Sequence, residues 1–525
     1  MSPVGRAPRR PNILMVMSDQ HRGDAYGFEG RRVHTPHLDQ MARAGTRFSA
    51  CITPNVACMP ARCSVLTGLL PLTHGVHDNG IDLDEGLAQQ GFAGSLSRAG
   101  YRSHFIGKAH FSSNHSYGDR PTGRCENIPS APQFGPGWQG PYMGFDRVEL
   151  MQLGHNYWLP DPAPGGLHYE RWYHGDGLGE LKNALYSQHV GAPVQGAQTH
   201  SSALPVAWHN STWVGDRTVE MLREQGRRER GGDDTPLCAW VSFADPHHPF
   251  DAPVPWSLLH RPDEVDLPPH RQRDLERRPW WHRAALENTP GGTPATRKIR
   301  QEYSRIGPQT DEQFRQIVAN YYGMISLIDH QLGRLQNTLR EEGLLEHTLV
   351  VFTSDHGEWL GDHGLVLKGP MFYEGLMRVG LLVQGPGVPA GRVVADPVST
   401  LDLAATFGDY AGTPVASAAH SRSLRPLIED RPGADRDHAL NEWRLGPSRC
   451  GVALDLRAVR TRDAKLTLEL DSGAGELYDL VNDPYECENR FDDPAYRGLR
   501  QALTDRIMAR PPDVRASFCE PVGPA

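Results

Sequence analysis

Short apolar runs alternate with amphipathic stretches along most of this chain. Residues 12–17, 237–243 and 348–352 are almost entirely apolar, which is typical of strands buried on both faces of a parallel sheet. Residues 311–342 carry apolar side chains at spacings of three and four, which predicts a long amphipathic helix. This alternation predicts an α/β fold with a large mixed, mostly parallel sheet sandwiched by helices.

Shorter segments extend this pattern. Residues 35–45 place a threonine and a proline at the start of a predicted helix and a glycine at its end. Residues 87–98 and 398–410 each predict one continuous helix, and 379–383 predicts another buried strand.

The pattern changes at about residue 421 to short runs separated by turns. Three of these runs predict the strands of a small antiparallel sheet: 458–460, 465–470 and 475–480. Residues 496–508 predict a terminal helix that covers this sheet. We therefore divide the chain into a large α/β domain, 1–420, and a smaller α+β subdomain, 421–525.

Composition and charge exclude several classes of function. The chain has 525 residues, of which 22% are charged and 38% hydrophobic, as in ordinary globular proteins. Its net charge of −9 argues against a nucleic-acid partner, which would require a basic face. No apolar run approaches the length of a membrane span, and 12–17 is too short for a signal peptide. We therefore expect a cytoplasmic protein without a membrane partner.

The eight cysteines have no regular spacing, and none forms a C-x-x-C pair. Neither a zinc knuckle nor a disulfide framework is indicated, so we expect reduced thiols. Only Cys58 is distinguished by its neighbours, because Pro60, Arg62 and the pair Thr67-Gly68 follow it. Pro60 suits the first turn of a helix, which places Cys58 beside free backbone N–H groups. That position favours a thiolate or an anionic substrate, and Arg62 would reach back to it from the next turn.

Polar side chains also follow four predicted strands. They are Asp19 and Gln20, Lys108 and His110, His247, and Asp355 and His356. Each has an ordinary alternative role as a helix cap or a surface group. In parallel sheets, however, ligands bind outside the carboxyl ends of the strands. We therefore expect these side chains to converge with Cys58 on one site.

The stretch 58–68 resembles the signature of the type I, formylglycine-dependent sulfatases of the alkaline-phosphatase-like superfamily. In that family the cysteine of C-x-P-x-R is oxidised to formylglycine, whose hydrate is the nucleophile. Further elements are similar to those of the family: Gly107-Lys108-Ala109-His110, Pro246-His247, Lys368, and the segment 476–484 of its C-terminal sheet. The resemblance implies an alkaline-phosphatase-like fold in which 1–420 is the catalytic domain.

The resemblance also implies roles for individual residues. The implied metal ligands are Asp19, Gln20, Cys58, Asp355 and His356. The implied catalytic residues are Cys58, Arg62, Lys108, His110, His247 and Lys368, and the implied substrate-binding residues are Asn79, Lys108, His247 and Lys368. In this scheme His247 protonates the leaving alcohol, and His110 takes the proton of the second hydroxyl of the hydrate. A formylglycine-generating enzyme is the implied partner during maturation.

Two departures from the family pattern leave the metal and the substrate open. Many members have a second aspartate where this chain has Gln20, and an asparagine where it has His356. Gln20 and His356 look more like the branch of phosphonate monoester and phosphodiester hydrolases and of some bacterial sulfatases, and Asn79 also resembles that branch. The single divalent cation is Ca²⁺ by family, but the imidazole shifts the preference toward Mn²⁺ or Zn²⁺, and Mg²⁺ is also open.

We therefore predict a hydrolase of small-molecule or saccharide sulfate esters. The alternative is a phosphonate monoester or phosphodiester hydrolase that uses the same site. A non-catalytic anion- or glycan-binding protein is a third hypothesis. The aromatic loops at 140–180, with Tyr157 and Trp158, and the region of Trp280 are candidates to bind the alcohol part of the substrate. Their length also makes a homo-oligomer plausible.

Overall fold

The computed structural model describes residues 9–152, 166–431, 436–514, 519 and 521–523, so the predicted contact residues Tyr157 and Trp158 lie outside the described part. The strands are β1 (Asn12–Ser18), β2 (Thr46–Ile52), β3 (Arg102–Lys108), β4 (Arg147–Met151), β5 (Leu237–Ser242), β6 (Thr348–Ser354), β7 (Arg378–Gln384), β8 (Arg392–Val394), β9 (Val398–Ser399), β10 (Ala439–Leu445), β11 (Leu454–Arg460), β12 (Ala464–Glu469) and β13 (Gly475–Asp479).

The helices are α1 (Pro36–Ala44), α2 (Cys58–Thr67), α3 (Pro71–His74), α4 (Glu85–Gln90), α5 (Phe92–Arg98), α6 (His168–His174), α7 (Gly179–Ser187), α8 (Asn210–Arg230), α9 (Trp280–Glu287), α10 (Pro294–Glu302), α11 (Asp311–Glu341), α12 (Glu374–Met377), α13 (Asp402–Ala411), α14 (Arg425–Ile428), α15 (Pro447–Cys450) and α16 (Arg497–Met508). Within the described ranges, no helix combines the length and the apolar character needed to cross a membrane.

The first nine strands form one sheet in the order β4-β3-β5-β1-β6-β7-β2-β8, with β9 also paired to β2. All neighbours are parallel except those of β7, which runs antiparallel to both β6 and β2. The predicted mixed, mostly parallel sheet is confirmed. Its central strands β5, β1 and β6 are buried along their whole length, as their apolar sequences require.

Helices cover both faces of this sheet. Successive side chains of β1 point to opposite faces, so Met15 packs in one core with side chains of α2, α5 and α13. Val16 packs in a second core with side chains of α1, α8 and α11. This arrangement explains why the apolar stripe of α11 is core and not a binding surface.

The C-terminal part forms a four-stranded antiparallel sheet, β10-β11-β12-β13, as predicted. Helix α16 covers one face, where Leu503 and Ile507 pack on Val459 and Leu466. The other face contributes Trp443 to a core shared with Val56, just before α2. The small sheet therefore packs behind the start of α2. The division at residue 420 stays a prediction.

Two predicted helices were wrong in extent. The segment 87–98 is interrupted at Gly91, which separates α4 from α5 in an extended conformation. A side chain there would meet the carbonyl oxygen of Leu66 in α2 at 2.5 Å, so the close approach of α2 requires glycine. The segment 398–410 begins with β9, because Val398 pairs with Cys51, and the helix α13 starts only at Asp402.

Candidate active site

The carboxyl ends of β1, β3, β5 and β6 meet at one edge of the large sheet, and the predicted site residues gather there. Cys58 lies at the centre, since its Sγ is 2.9 Å from Lys368 Nζ and 3.1 Å from His356 Nε2. Asp19 Oδ1 lies 3.7 Å from the same sulfur. The expected convergence of these side chains is therefore observed.

The start of α2 presents Cys58 at its first helical position. The whole helix is buried, and its entry is held by two amide side chains. Asn55 Oδ1 accepts a hydrogen bond from Ala57 N (2.7 Å), and Asn79 Oδ1 accepts one from Met59 N (3.0 Å). Asn79, predicted to bind substrate, thus uses its carbonyl oxygen to satisfy a helix N–H group that would otherwise have no partner.

Arg62 connects the two aspartates of the site and is completely buried. Its Nε donates to Asp355 Oδ2 (2.8 Å) and its Nη2 to Asp19 Oδ2 (3.1 Å). Its Nη1 donates to the Lys108 carbonyl and to Ser242 Oγ, both at 2.7 Å. The sequence suggested that Arg62 reaches the substrate position, whereas here its guanidinium orients the two carboxylates.

Two lysines place positive charge next to Cys58. Lys108 Nζ lies 2.6 Å from Asp19 Oδ2, and Lys368 Nζ contacts the sulfur directly. Burial and Asp19 would raise the pKa of the Cys58 thiol, but Lys368, His356 and Lys108 hold it well below its ordinary value. The position therefore stabilises an anion.

The same residues fit a divalent cation. Asp19, Cys58, Asp355 and His356 each offer one ligand atom, and these atoms lie within 4.8 Å of one another. The positively charged Lys368 ammonium contacts His356 Nε2 (3.2 Å) and Gln20 Oε1 (3.0 Å). These two ligand atoms are therefore arranged around a positive charge. Carboxylate and amide oxygens with one imidazole suit Mn²⁺ or Zn²⁺ as well as the harder cations.

The imidazole of His356 is oriented for this task. Its Nδ1 lies 2.9 Å from the Gly357 carbonyl oxygen, which fixes the ring and leaves Nε2 facing Cys58. A metal-binding histidine is commonly held in this way by a hydrogen bond from its other nitrogen.

Glu358 supports the site, and the sequence reasoning did not identify it. The side chain of Gln20, whose backbone is left-handed (φ 63°), donates its amide to the buried Glu358 carboxylate. Glu358 also accepts hydrogen bonds from Leu360 N (3.0 Å) and Leu367 N. It therefore orients Gln20 Oε1 and anchors the loop that delivers Lys368. The available signal was its position, three residues after Asp355.

We expect Glu358→Gln to weaken the site without removing a reacting group. A glutamine cannot accept all three of these hydrogen bonds, so a buried N–H group loses its partner, at about 1–3 kcal/mol of unfolding free energy. Misplaced Gln20 should lower kcat/KM and metal affinity by about 10- to 100-fold. Steady-state kinetics with a metal titration measures both. The exposed Glu346→Gln is the matched control, and an unchanged kcat/KM in Glu358→Gln would contradict the role of this carboxylate.

Two further histidines, His247 and His110, belong to the site. His247 Nδ1 lies 2.6 Å from the His248 carbonyl oxygen, and its Nε2 lies 3.0 Å from Lys368 Nζ, so Nε2 faces the site. His110 adopts a left-handed backbone (φ 56°) and its backbone N–H donates to Glu126. Burial lowers the pKa of His110 below its ordinary value, although contact with Cys58 opposes this shift. A neutral imidazole next to Cys58 is suited to accept a proton.

The predicted contacts for the alcohol part of the substrate are less well placed. Trp280 begins α9 and is 44% exposed, with its Nε1 donating to Ser472 Oγ (3.1 Å). A cavity of about 600 Å³ is lined by groups such as Arg22, Asp266 and Tyr485 and by none of the predicted site residues. The substrate position is therefore assigned by the polar cluster and not by cavity size.

Comparison with known proteins connects this cluster to a family. The model of the family described as Sulfatase matches residues 11–413, and that described as N-sulphoglucosamine sulphohydrolase, C-terminal, matches residues 361–511. The chain is 27% identical over 526 residues to an arylsulfatase of Clostridium perfringens, which covers 95% of each chain. It is 25% identical to an N-acetylglucosamine-6-O-sulfatase of Bacteroides thetaiotaomicron over 543 residues, covering 96% of this chain and 86% of the relative.

A solved structure has the same fold over nearly the whole chain. The phosphonate monoester hydrolase of Agrobacterium radiobacter superposes with a TM-score of 0.73 and is 27% identical, covering 95% of each chain. The expected alkaline-phosphatase-like fold is thereby confirmed.

Proposed function

Because this chain belongs to the sulfatase family and is a sulfuric ester hydrolase, we propose that it works through a formylglycine made from Cys58 and one divalent cation. The proposed ligands of that cation are Asp19, Gln20, Cys58, Asp355 and His356. The observation that carries the proposal is the position of Cys58: it begins a buried helix, and its sulfur is surrounded by two carboxylates, two lysines and His356.

The chain's own residues have distinct tasks in this proposal. The modified Cys58 would supply a hydroxyl nucleophile as its hydrate, and the cation would make that hydroxyl more acidic. Lys108 and Lys368 bind the non-bridging oxygens of the ester and stabilise the charge that develops there. Arg62 keeps Asp19 and Asp355 oriented and apart from the solvent.

The two histidines transfer protons in two different steps of the proposed reaction. His247 Nε2 faces the site, and we assign to it the proton that the leaving alcohol receives. His110 lies beside Cys58, and we assign to it the uptake of a proton from the hydrate when the ester to the enzyme is released. The ring of His247 stacks on His248 at a centroid distance of 4.0 Å, which restrains it for this task.

The proposed substrate is a small-molecule or saccharide sulfate ester. The similarity to an N-acetylglucosamine-6-O-sulfatase favours a sulfated sugar. Because Asn79 Oδ1 already accepts a hydrogen bond from Met59 N, Asn79 would bind the substrate through its side-chain NH₂ group. A formylglycine-generating enzyme is the proposed partner before the protein is active.

Phosphonate monoester hydrolysis is the second candidate, and a specific observation favours it. His356 Nε2 faces Cys58, Gln20 Oε1 contacts the Lys368 ammonium next to it, and a phosphonate monoester hydrolase shares the fold over 95% of the chain. Both ester types carry one negative charge at neutral pH. They differ because a sulfate ester presents one more non-bridging oxygen, which the cation, Lys108 and Lys368 together would bind.

We expect p-nitrophenyl sulfate to be hydrolysed with a higher kcat/KM than p-nitrophenyl phenylphosphonate, by about tenfold or more, which corresponds to about 1.4 kcal/mol of transition-state binding. The two esters share a leaving group, so the comparison reports recognition of the group being transferred. Both are measured by release of p-nitrophenol with the Cys58→Ala variant as the blank. Faster turnover of the phosphonate would make the second candidate the main activity.

A further inference from the structure

A second group of metal-binding side chains lies behind the loop that carries His247. His209 caps the start of α8, while Asp245 and Asp251 flank that loop after β5. The three side chains are between 0% and 1% exposed. One ligand atom of each lies within 4.8 Å of the others. This group shares no residue with the site around Cys58.

Only some of the polar side-chain atoms of this group have hydrogen-bond partners. Asp245 Oδ2 accepts a hydrogen bond from Ser211 Oγ (2.5 Å), and Asp251 Oδ2 accepts one from Tyr186 OH (2.7 Å). His209 Nδ1 lies 3.7 Å from Asp245 Oδ2 and 3.3 Å from Ser211 N. Within the described residues, Asp245 Oδ1, Asp251 Oδ1 and His209 Nε2 are buried without a hydrogen-bond partner. Buried polar atoms without partners require an explanation, and an ion is a common one.

The charges of this group are also uncompensated. Among the described residues, neither Asp245 nor Asp251 has an arginine or lysine within ion-pair distance. Two other buried acids have more partners: Asp402 pairs with Arg436 at 2.6 Å, and Glu126 accepts three backbone hydrogen bonds and one from Tyr142. Burial raises the pKa of Asp245 and of Asp251 to about 7. Two buried carboxylates without an arginine or lysine partner are costly unless a cation or a proton balances them.

We propose that His209, Asp245 and Asp251 bind a second divalent cation of the Zn²⁺ or Mn²⁺ class. A doubly charged cation balances the two carboxylates, and one imidazole with two carboxylate oxygens is a donor set that these metals accept. Ca²⁺ is disfavoured because it requires six to eight oxygen ligands, which a buried group of this size does not supply.

The cation would have a structural task. It joins the beginning of α8 to both ends of the loop that presents His247. The same loop is tied to the main site, because the carbonyl oxygen of Asp245 accepts a hydrogen bond from Asp19 N (3.0 Å). The second cation would therefore fix the position of the loop that carries His247 relative to the cation site around Cys58. Its task beside His247 and the expected total of two cations rest on the function proposed above.

Metal content of the full-length protein tests this assignment without any assay of activity. After equilibration with Zn²⁺ or Mn²⁺ and removal of free metal, elemental analysis by mass spectrometry should find two equivalents per chain. Asp251→Asn should retain one, and Asp19→Asn should also retain one. The matched control is Asp329→Asn, which should retain two. Asp329 is another buried acid, and within the described part of the chain its carboxylate accepts hydrogen bonds only from the backbone of His37 and Leu38.

The opposite result is equally clear. One equivalent in the wild-type protein, lost in Asp19→Asn, would overturn the proposal and assign a shared proton to the Asp245 and Asp251 pair. Should Asp251→Asn fail to fold, thermal unfolding of Asp19→Asn decides. Added Zn²⁺ should raise its Tm by several degrees through the remaining site, and an unchanged Tm together with one equivalent in the wild-type protein would again overturn it.

Discussion

The Cys58→Ala variant should lose about 10⁴- to 10⁶-fold in kcat toward sulfate esters, the range seen when a catalytic nucleophile is removed from an enzyme. Alanine keeps the helix start but removes the atom from which the nucleophile is made, and no other described cysteine lies among the charged groups of the site. The measurement is p-nitrophenol release under saturating substrate and metal. Activity within tenfold of the wild-type protein would show that Cys58 is not the source of the nucleophile.

Two controls separate chemistry from structure in this experiment. Cys63→Ala removes a buried thiol from the same helix that packs in the apolar core, so it should reduce stability slightly and leave kcat near the wild-type value. Mass spectrometry of the tryptic peptide 48–62 after alkylation reports the modification itself. Cys51 lies in the same peptide as an internal standard. The active fraction should follow the fraction in which Cys58 alone escapes alkylation.

The Arg62→Ala variant should show the largest loss of stability of any single change in the site. Its side chain is fully buried, and its loss leaves Asp19 and Asp355 without their shared partner. Breaking a buried ion pair in this way costs about 3–5 kcal/mol of unfolding free energy. Activity should fall as well, because the two carboxylates lose their orientation. Chemical denaturation in metal-free buffer measures the loss.

A surface ion pair provides the comparison for Arg62. Arg283 pairs with the exposed Glu287 at 3.3 Å, and Arg283→Ala should cost less than about 1 kcal/mol, as is usual for exposed pairs. Added divalent cation should restore part of the lost stability of Arg62→Ala, since it supplies positive charge to the same carboxylates. Equal stability of the two variants would mean that Arg62 does not hold the site together.

The sequence predicted the parts of the site that depend on short-range patterns. Asp19, Lys108 and Asp355 follow apolar runs, and the ends of parallel strands necessarily meet at one edge. The position of Cys58 at a helix start also follows from local rules, because Pro60 is favoured in the first turn of a helix. These features need no knowledge of which strand neighbours which.

What the sequence did not predict depends on contacts between distant segments. The apolar run of β7 is compatible with either direction. It runs antiparallel because the loop and short helix after β6 stay at the same edge of the sheet, so the chain re-enters the sheet from there. Glu358 and the capping role of Asn79 were missed for a related reason. Their partners, Gln20 and Met59, lie 338 and 20 residues away along the chain, beyond the reach of local patterns.

The depth of Cys58 sets an order of events in the biogenesis of the protein. The residue is 1% exposed and begins a helix in which every position is buried. An enzyme of ordinary size has no access to its thiol in the finished fold, so the proposed oxidation must occur while the segment is still extended. The proposed maturation would therefore compete with folding during synthesis, and a chain that folds first would keep an unmodified Cys58. The yield of active protein then depends on relative rates, and slower folding would favour it.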